Sequence, residues 1–396
     1  MLNEKIHGLV DEIEDWIIDQ RRDFHMHPEP SRKEIRTSER VARLLEELGV
    51  EVKKGYYNTG VVGIIKGDKE GKTIGLRFDM DALEMEEMND IPFKSQNEGV
   101  MHSCGHDGHT AIGLGIAKVL IQMKDEIHGN IKLVFQPAEE DAPNGGGAQH
   151  MIKDGALEEP KVDYMVGAHI WPKLKLGQVG TKSGVLMAAS DPFTIDIKGK
   201  GIHASLPNMG VDPILIGSQI VTNINTIISR NIDPFEPAVV SIGVFNGGTR
   251  YNVIPEEVKL EGTVRSFSEG VREKIHDRLK SVVEETAVAL GGNANLHYKF
   301  SYPPLMNDEK AVNIAKKSIE ELLGEENFVR VNRPEPGGED FAYFAKEVPS
   351  VYMFLGYAEE GKELYAPHNP RFDFNEKVLG IGAKVLIKTA LNLGRS

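Results

Sequence analysis

Cys104-Gly105-His106-Asp107-Gly108-His109 holds the only cysteine in a chain of 396 residues and places two imidazoles within five positions of it. A thiolate and a neutral imidazole two residues apart can reach one borderline-soft cation such as Zn²⁺, and the glycines let the backbone fold tightly around an ion. A buried free cysteine beside surface histidines would spell the same letters. The polar residues downstream separate the two readings.

Residues 131–135 are a short apolar run with the character of a buried strand, and Phe135-Gln136-Pro137-Ala138-Glu139-Glu140 closes it with two adjacent carboxylates. Catalytic groups of open α/β sheets gather at the carboxyl ends of strands. Neighbouring residues leaving a strand point in different directions, so one carboxylate can bind a metal while the other faces the water that the metal activates. One Glu would then be a ligand and the other a general base. Residues 162–168 are a second apolar strand candidate and end in His169-Ile170-Trp171-Pro172, while residues 73–78 run into Asp79-Met80-Asp81. Tyr365-Ala366-Pro367-His368-Asn369-Pro370 is a loop by its prolines. Taken singly, an acidic pair is a solvated turn and a histidine an ordinary satisfied side chain. Their joint occurrence at element ends favours a metal site.

The ordered set Arg77-Phe78-Asp79-Met80-Asp81-Ala82-Leu83, Met101-His102-Ser103-Cys104-Gly105-His106-Asp107-Gly108-His109-Thr110, residues 135–140, Gly167-Ala168-His169 and Gly338-Glu339-Asp340-Phe341-Ala342 resembles the amidohydrolase branch of the co-catalytic zinc peptidase family. That branch contains aminoacylases, hippurate hydrolases, thermostable carboxypeptidases, auxin-conjugate hydrolases and N-acetyldiaminopimelate deacetylases. The match extends from residues 21–29 to residues 368–372. The resemblance implies that Cys104, His106, Glu140, His169 and His368 hold up to two divalent ions and that Glu139 is the general base. It further implies that Asp79 and Asp81 orient the metal site. His203, in the glycine-rich turn Gly199-Lys200-Gly201-Ile202-His203, matches a histidine that stabilises the oxyanion, often in the active site of a dimer partner. Asn252 and Arg265 match residues that hold the substrate carboxylate, a pairing that suits a guanidinium. A homodimer or homotetramer is implied in the same way.

Composition sets bounds that agree with this reading. With 46 Lys plus Arg against 60 Asp plus Glu the formal charge is −14, which disfavours nucleic-acid backbones and anionic membrane surfaces. One cysteine makes no intrachain disulfide, and the acidic start lacks the basic and apolar blocks of a signal peptide, so a cytoplasmic location is expected. No stretch approaches the roughly 18 apolar residues that span a bilayer.

Along the chain, apolar residues recur at helical spacing from Ile6 to Ile17 and from Ile35 to Leu48. Strand candidates at 60–66, 73–78, 131–135 and 162–168 then alternate with helical stretches at 110–123 and 148–154, the rhythm of an α/β layered sheet. From about residue 184 the strands alternate apolar with polar side chains, as in a half-exposed antiparallel sheet. Strands at 193–198, 238–245, 258–265 and 295–301 with helices at 212–229 and 268–290 give the order β-α-β-β-α-β of a ferredoxin-like module. The α/β texture resumes with a helix at 308–323, a strand at 351–355 and a helix at 376–393. The expected fold is therefore α/β with two domains. A catalytic domain of residues 1–183 and 303–396 is interrupted by a ferredoxin-like α+β lid or dimerisation domain at 184–302.

The expected reaction is metal-assisted hydrolysis of the amide bond of N-acyl amino acids or of C-terminal residues of short peptides. Glu139 would take the proton of the attacking water and His203 would meet the developing negative charge. A deacetylase acting on N-acetyldiaminopimelate shares the motifs. A non-catalytic protein with a structural metal site is disfavoured, because closed zinc sites use four Cys or His ligands without a spare carboxylate. A serine nucleophile is disfavoured by the lack of a Gly-x-Ser-x-Gly elbow. Zn²⁺ suits the mixed donor set, and Mn²⁺ and Co²⁺ also suit its histidines and carboxylates.

Overall fold

The computed structural model describes residues 2–396, and the chain divides into two compact units. One comprises the residues up to Leu186 together with Met306–Arg333 and Asp340–Ser396; the other comprises Met187–Leu305 and Pro334–Glu339. The short return of residues 334–339 to the second unit differs from the boundary expected at residue 303. It follows from pairing: Ala188 N–H donates to Glu335 O at 3.0 Å, and Met187 and Glu335 form a parallel bridge.

The first unit is a mixed α/β layer structure. Its eight strands lie in the order Glu51–Tyr56, Gly60–Lys66, His128–Gln136, Lys69–Asp79, Tyr164–Lys175, Ser350–Ala358, Val179–Thr181, Phe328–Arg330. Lys69–Asp79 runs parallel to both its neighbours, and Ser350–Ala358 runs parallel to Tyr164–Lys175. Central parallel strands are covered on both faces, so they read as continuous apolar runs. Ile74, Leu76, Phe78, Ile131, Leu133, Phe135, Val351, Met353 and Leu355 accordingly sit in one buried cluster with residues of the helices Glu14–Met26, His106–Leu120 and Lys377–Gly394.

Two elements differ from expectation in ways that matter for the site. The helix expected at 110–123 is His106–Leu120, starting four residues earlier, because Gly105 turns the chain with φ +89°. Only glycine takes that conformation without strain, and a Cβ there would lie 2.1 Å from Ile170 Cδ1. The strand expected to end at Ala168 continues to Lys175, since Ser350–Ala358 pairs with it as far as Gly356 opposite Trp171 and, after a register shift, Ala358 opposite Lys175. His169 therefore stands within a strand, not at its edge.

In the second unit the strand Ala189–Lys198 lies between Glu257–Ser266 and Asn293–Tyr298, with Ala238–Gly247 at the outer edge, and all neighbours are antiparallel. The helices Pro213–Asn231 and Glu269–Ala289 bury Ile216, Ile220, Ile224, Ile275, Leu279 and Val283 against Phe193, Ile195, Ile197, Leu260 and Val264. Each helix opens on a side-chain cap: Asp212 accepts from Ile214 N–H at 2.8 Å, and Ser268 from Val271 N–H at 3.3 Å. Among the described residues no helix is long and apolar enough to cross a membrane.

Candidate metal centre

Four segments of the first unit bring their side chains to one place. Cys104 precedes the turn at Gly105, and His106 occupies the first turn of the helix that follows. Glu139 and Glu140 leave the strand His128–Gln136 through Ala138, which has φ +58°. His169 comes from its strand, and His368, itself at φ +66°, is held by its N–H on Ser103 O at 2.8 Å. Donor atoms of Cys104, His106 and His169 lie within 4.8 Å of one another, as do those of Cys104, Glu140 and His368, and those of His106, Glu139 and Glu140. The thiol is common to two of these groups. Cys104 Sγ is 3.3 Å from His169 Nε2, and His368 Nε2 is 2.9 Å from Glu140 Oε1.

The hydrogen bonds around these groups leave the Nε2 atoms of two histidines turned toward the centre. His106 Nδ1 donates to Asp81 O at 2.9 Å, and its buried Nε2 has no hydrogen-bond partner. His169 Nδ1 donates to Ile170 O at 2.7 Å, which leaves Nε2 facing Cys104. Both rings thus commit Nδ1 to a carbonyl and turn Nε2 toward the cluster, an orientation fixed by a second partner. Burial and the neighbouring His109 and His106 hold His169 well below its ordinary pKa, so it is neutral. Burial alone would lower the His106 pKa, but Asp79, Asp81 and Glu140 raise it to about 10. A field that retains a proton on that nitrogen equally favours a divalent cation. Burial, together with Glu140, Glu139 and Asp79, pushes the Cys104 thiol well above its usual range, and a bound cation would draw it back toward the thiolate. One soft sulfur, borderline imidazoles and a carboxylate fit a divalent transition metal.

Asp79 and Asp81 contact members of this cluster: Asp79 Oδ2 lies 3.7 Å from His106 Nε2 and Asp81 Oδ1 3.3 Å from His106 Nδ1. Asp79 is fully buried and binds the guanidinium of Arg77 and His109 Nδ1, the latter at 2.6 Å. Burial opposes its charge, yet Arg77 and the imidazoles hold its carboxyl well below the usual range. Asp81 Oδ2 accepts from Ser31 Oγ at 2.6 Å and from Glu140 N–H at 2.9 Å. Asp340 does not cap the helix Phe341–Glu347; its carboxylate accepts from Arg77 at 2.8 Å, Gln136 at 2.7 Å and Ala148 N–H at 2.9 Å. His109, the second imidazole after Cys104, is not among the expected ligands. Its Nδ1 faces Asp79, and its Nε2 accepts from Ile170 N–H at 3.0 Å, so both nitrogens are used and it orients Asp79 without being a ligand. Its place three residues after His106, on the same helical face, was the available signal.

The other three expected residues belong to the second unit. His203 is exposed and pairs with Val253, and Ala204 N–H donates to Asn252 O at 3.1 Å, so His203 and Asn252 share one short two-stranded ribbon. Arg265 lies on the sheet opposite Ser190 and Val239, with its guanidinium on Thr263 Oγ1 and, at 3.1 Å, on Val264 O.

The donor set makes one measurable demand. Cys104→Ser should weaken metal binding by at least about a hundredfold, since loss of an outer-shell partner alone costs 10- to 100-fold. Titration with a competing chelator reads this directly, and unchanged affinity would place Cys104 outside the coordination shell.

A thiol, imidazoles and paired glutamates gathered in an α/β layer structure define a metal-dependent hydrolase. Residues 75–392 match the model of Peptidase family M20/M25/M40, and the chain belongs to that family. It is similar to thermostable carboxypeptidase 2 of Saccharolobus solfataricus, 43% identical over 385 residues that cover 96% of each chain. It is also similar to N-acetyl-L-cysteine deacetylase of Bacillus subtilis, 38% identical over 383 residues covering 96% of this chain and 89% of the relative. The solved Bacillus subtilis YxeP protein, a dinuclear metal binding peptidase, superposes with a TM-score of 0.84 at 34% identity, covering 98% of this chain and 99% of that one.

Proposed function

We propose that the protein hydrolyses the amide bond of N-acyl amino acids or of C-terminal residues in short peptides. The observation that carries this reading is Glu139, buried beside His106 and Glu140 and adjacent in sequence to a carboxylate that faces His368. Similarity to a carboxypeptidase and to an N-acetyl-L-cysteine deacetylase supports an amide substrate. We take the ions to be Zn²⁺, up to two per chain, held by Cys104, His106, Glu140, His169 and His368. Bound there, they supply Lewis acidity toward the acyl oxygen and make water acidic enough to ionise near neutrality. Glu139 receives the proton of the attacking water and returns it to the departing amine.

In this reading the second unit is an inserted ferredoxin-like lid and dimerisation domain. Ser205 N–H donates to His203 Nδ1 at 3.2 Å, which places the ring proton on Nε2, the tautomer an oxyanion donor needs. Asn252 and Arg265 hold the substrate carboxylate. The outer strand Ala238–Gly247 presents an open edge with exposed Val239 and Phe245, which supports pairing with a second copy. A cytoplasmic location is in keeping with the single cysteine.

Removal of metal by a chelator should abolish turnover of N-acetyl and N-benzoyl amino acids and short peptides, and re-addition should restore it, with the far-ultraviolet dichroism unchanged. Full turnover by metal-depleted protein would sink the proposal. The rate ratios across the panel give the substrate class.

A further inference from the structure

The segment between Pro28 and Glu34 contributes no expected ligand, yet it is tied to the backbone on both sides of Glu139. Pro30 bridges Ala82, and Glu29 O accepts from Ala82 N–H at 2.8 Å. Ser31 Oγ donates at 2.6 Å to Asp81 Oδ2, the oxygen that also receives Glu140 N–H at 2.9 Å. Glu34 is wholly buried. Its Oε1 accepts from Arg32 N–H and from Ala138 N–H, both at 2.9 Å, and its Oε2 accepts from Thr59 Oγ1 at 2.8 Å.

Ala138 is the residue on which this arrangement turns. Its φ of +58° is one that side chains with a Cβ seldom adopt, and such a residue persists only where its surroundings over-determine it. A buried backbone N–H requires a partner, and in the left-handed turn Ala138 N–H finds it in the Glu34 carboxylate. The backbone just before Glu139 is thus fixed by Glu34, and the backbone just after it by Asp81. Glu139 hangs between two buried carboxylate anchors on neighbouring amides.

We infer that Glu34 is a positioning residue for the amide hydrolysis: by holding Ala138 N–H it keeps the left-handed turn that aims the Glu139 carboxylate. This rests on the reading of Glu139 as general base. A displacement of about 1 Å at a reacting group costs on the order of 100-fold in rate, so the anchor acts on kcat and leaves substrate binding and metal content alone.

The test compares Glu34→Met, Glu34→Asp and Glu34→Gln, each in the full chain loaded with metal. Methionine removes the acceptor, and aspartate keeps the carboxyl group but withdraws it by one methylene. Both should lower kcat by about 10- to 100-fold per folded molecule, with KM and metal content near wild type. Glutamine should restore turnover, since its oxygen accepts both N–H groups while its amide donates to Thr59 Oγ1. Should Glu34→Met fail to fold, Glu34→Asp carries the comparison. In the Glu139→Gln background, Glu34→Asp should add no further loss, because a group acting through Glu139 has nothing left to position. Additive losses, loss of metal, or wild-type kcat in Glu34→Asp beside an inactive Glu139→Gln would overturn the inference alone. A fully active Glu139→Gln chain would remove the base assignment and this inference with it.

Discussion

Glu139→Gln is expected to lower turnover by about two to four powers of ten, the range of general acid–base catalysis, while metal content stays near wild type. Gln matches the volume of a side chain only 7% exposed, so packing is preserved while the proton acceptor is lost. The proposed ligands, Cys104, His106, Glu140, His169 and His368, keep the donor groups around the shared thiol. Metal analysis beside steady-state kinetics decides the matter. Loss of metal would make Glu139 a ligand and pass the base role to Glu140, whose carboxylate at present faces His368 at 2.9 Å.

His203→Ala is expected to reduce turnover by about two to three powers of ten, the scale of losing one oxyanion donor, with metal content and folding intact. His203 is exposed and pairs only within its ribbon, so its removal leaves the core of the second unit untouched. If the histidine serves the active site of a partner chain, mixing inactive His203→Ala with inactive Glu139→Gln should restore activity, because each hybrid then contains one site with both groups. Hybrids shown to form without any return of activity would confine His203 to its own chain. Full activity of His203→Ala by itself would exclude the role.

What could be read from the sequence was governed by how local its causes are. The strand Gly60–Lys66 has the bounds its apolar run suggests, and the second unit's strands and helices follow their alternation and caps. The strand Glu51–Tyr56 is not legible in the sequence because it is an edge strand without a buried residue and so carries no apolar pattern. The length of the strand bearing His169 was misjudged because its partner comes from residues 350–358, far along the chain. At the site, Cys104, His106, Glu139, Glu140, His169 and His368 were conspicuous because their chemistry is unusual where they stand. Glu34 was not, for an acidic residue in a charged segment looks solvated. Its burial depends on Thr59 and Ala138, which only the folded chain brings near. His109 is plain in the sequence, but its part is legible only in the fold, where its two nitrogens are assigned by Asp79 and Ile170.

The sheet of the first unit also dictates an order of assembly during synthesis. The strand Ser350–Ala358 lies between Tyr164–Lys175 and Val179–Thr181, although the ribosome delivers it after the whole of residues 187–305. The four-stranded sheet of the second unit is made wholly of residues 189–298, while the first unit's sheet still waits for an interior member. Until that strand emerges, Tyr164–Lys175, which bears His169, presents an unpaired apolar edge, the kind of surface that chaperones shield and that aggregates form on. His368 arrives later still. A nascent chain therefore lacks one of the proposed ligands until residue 368 has been made.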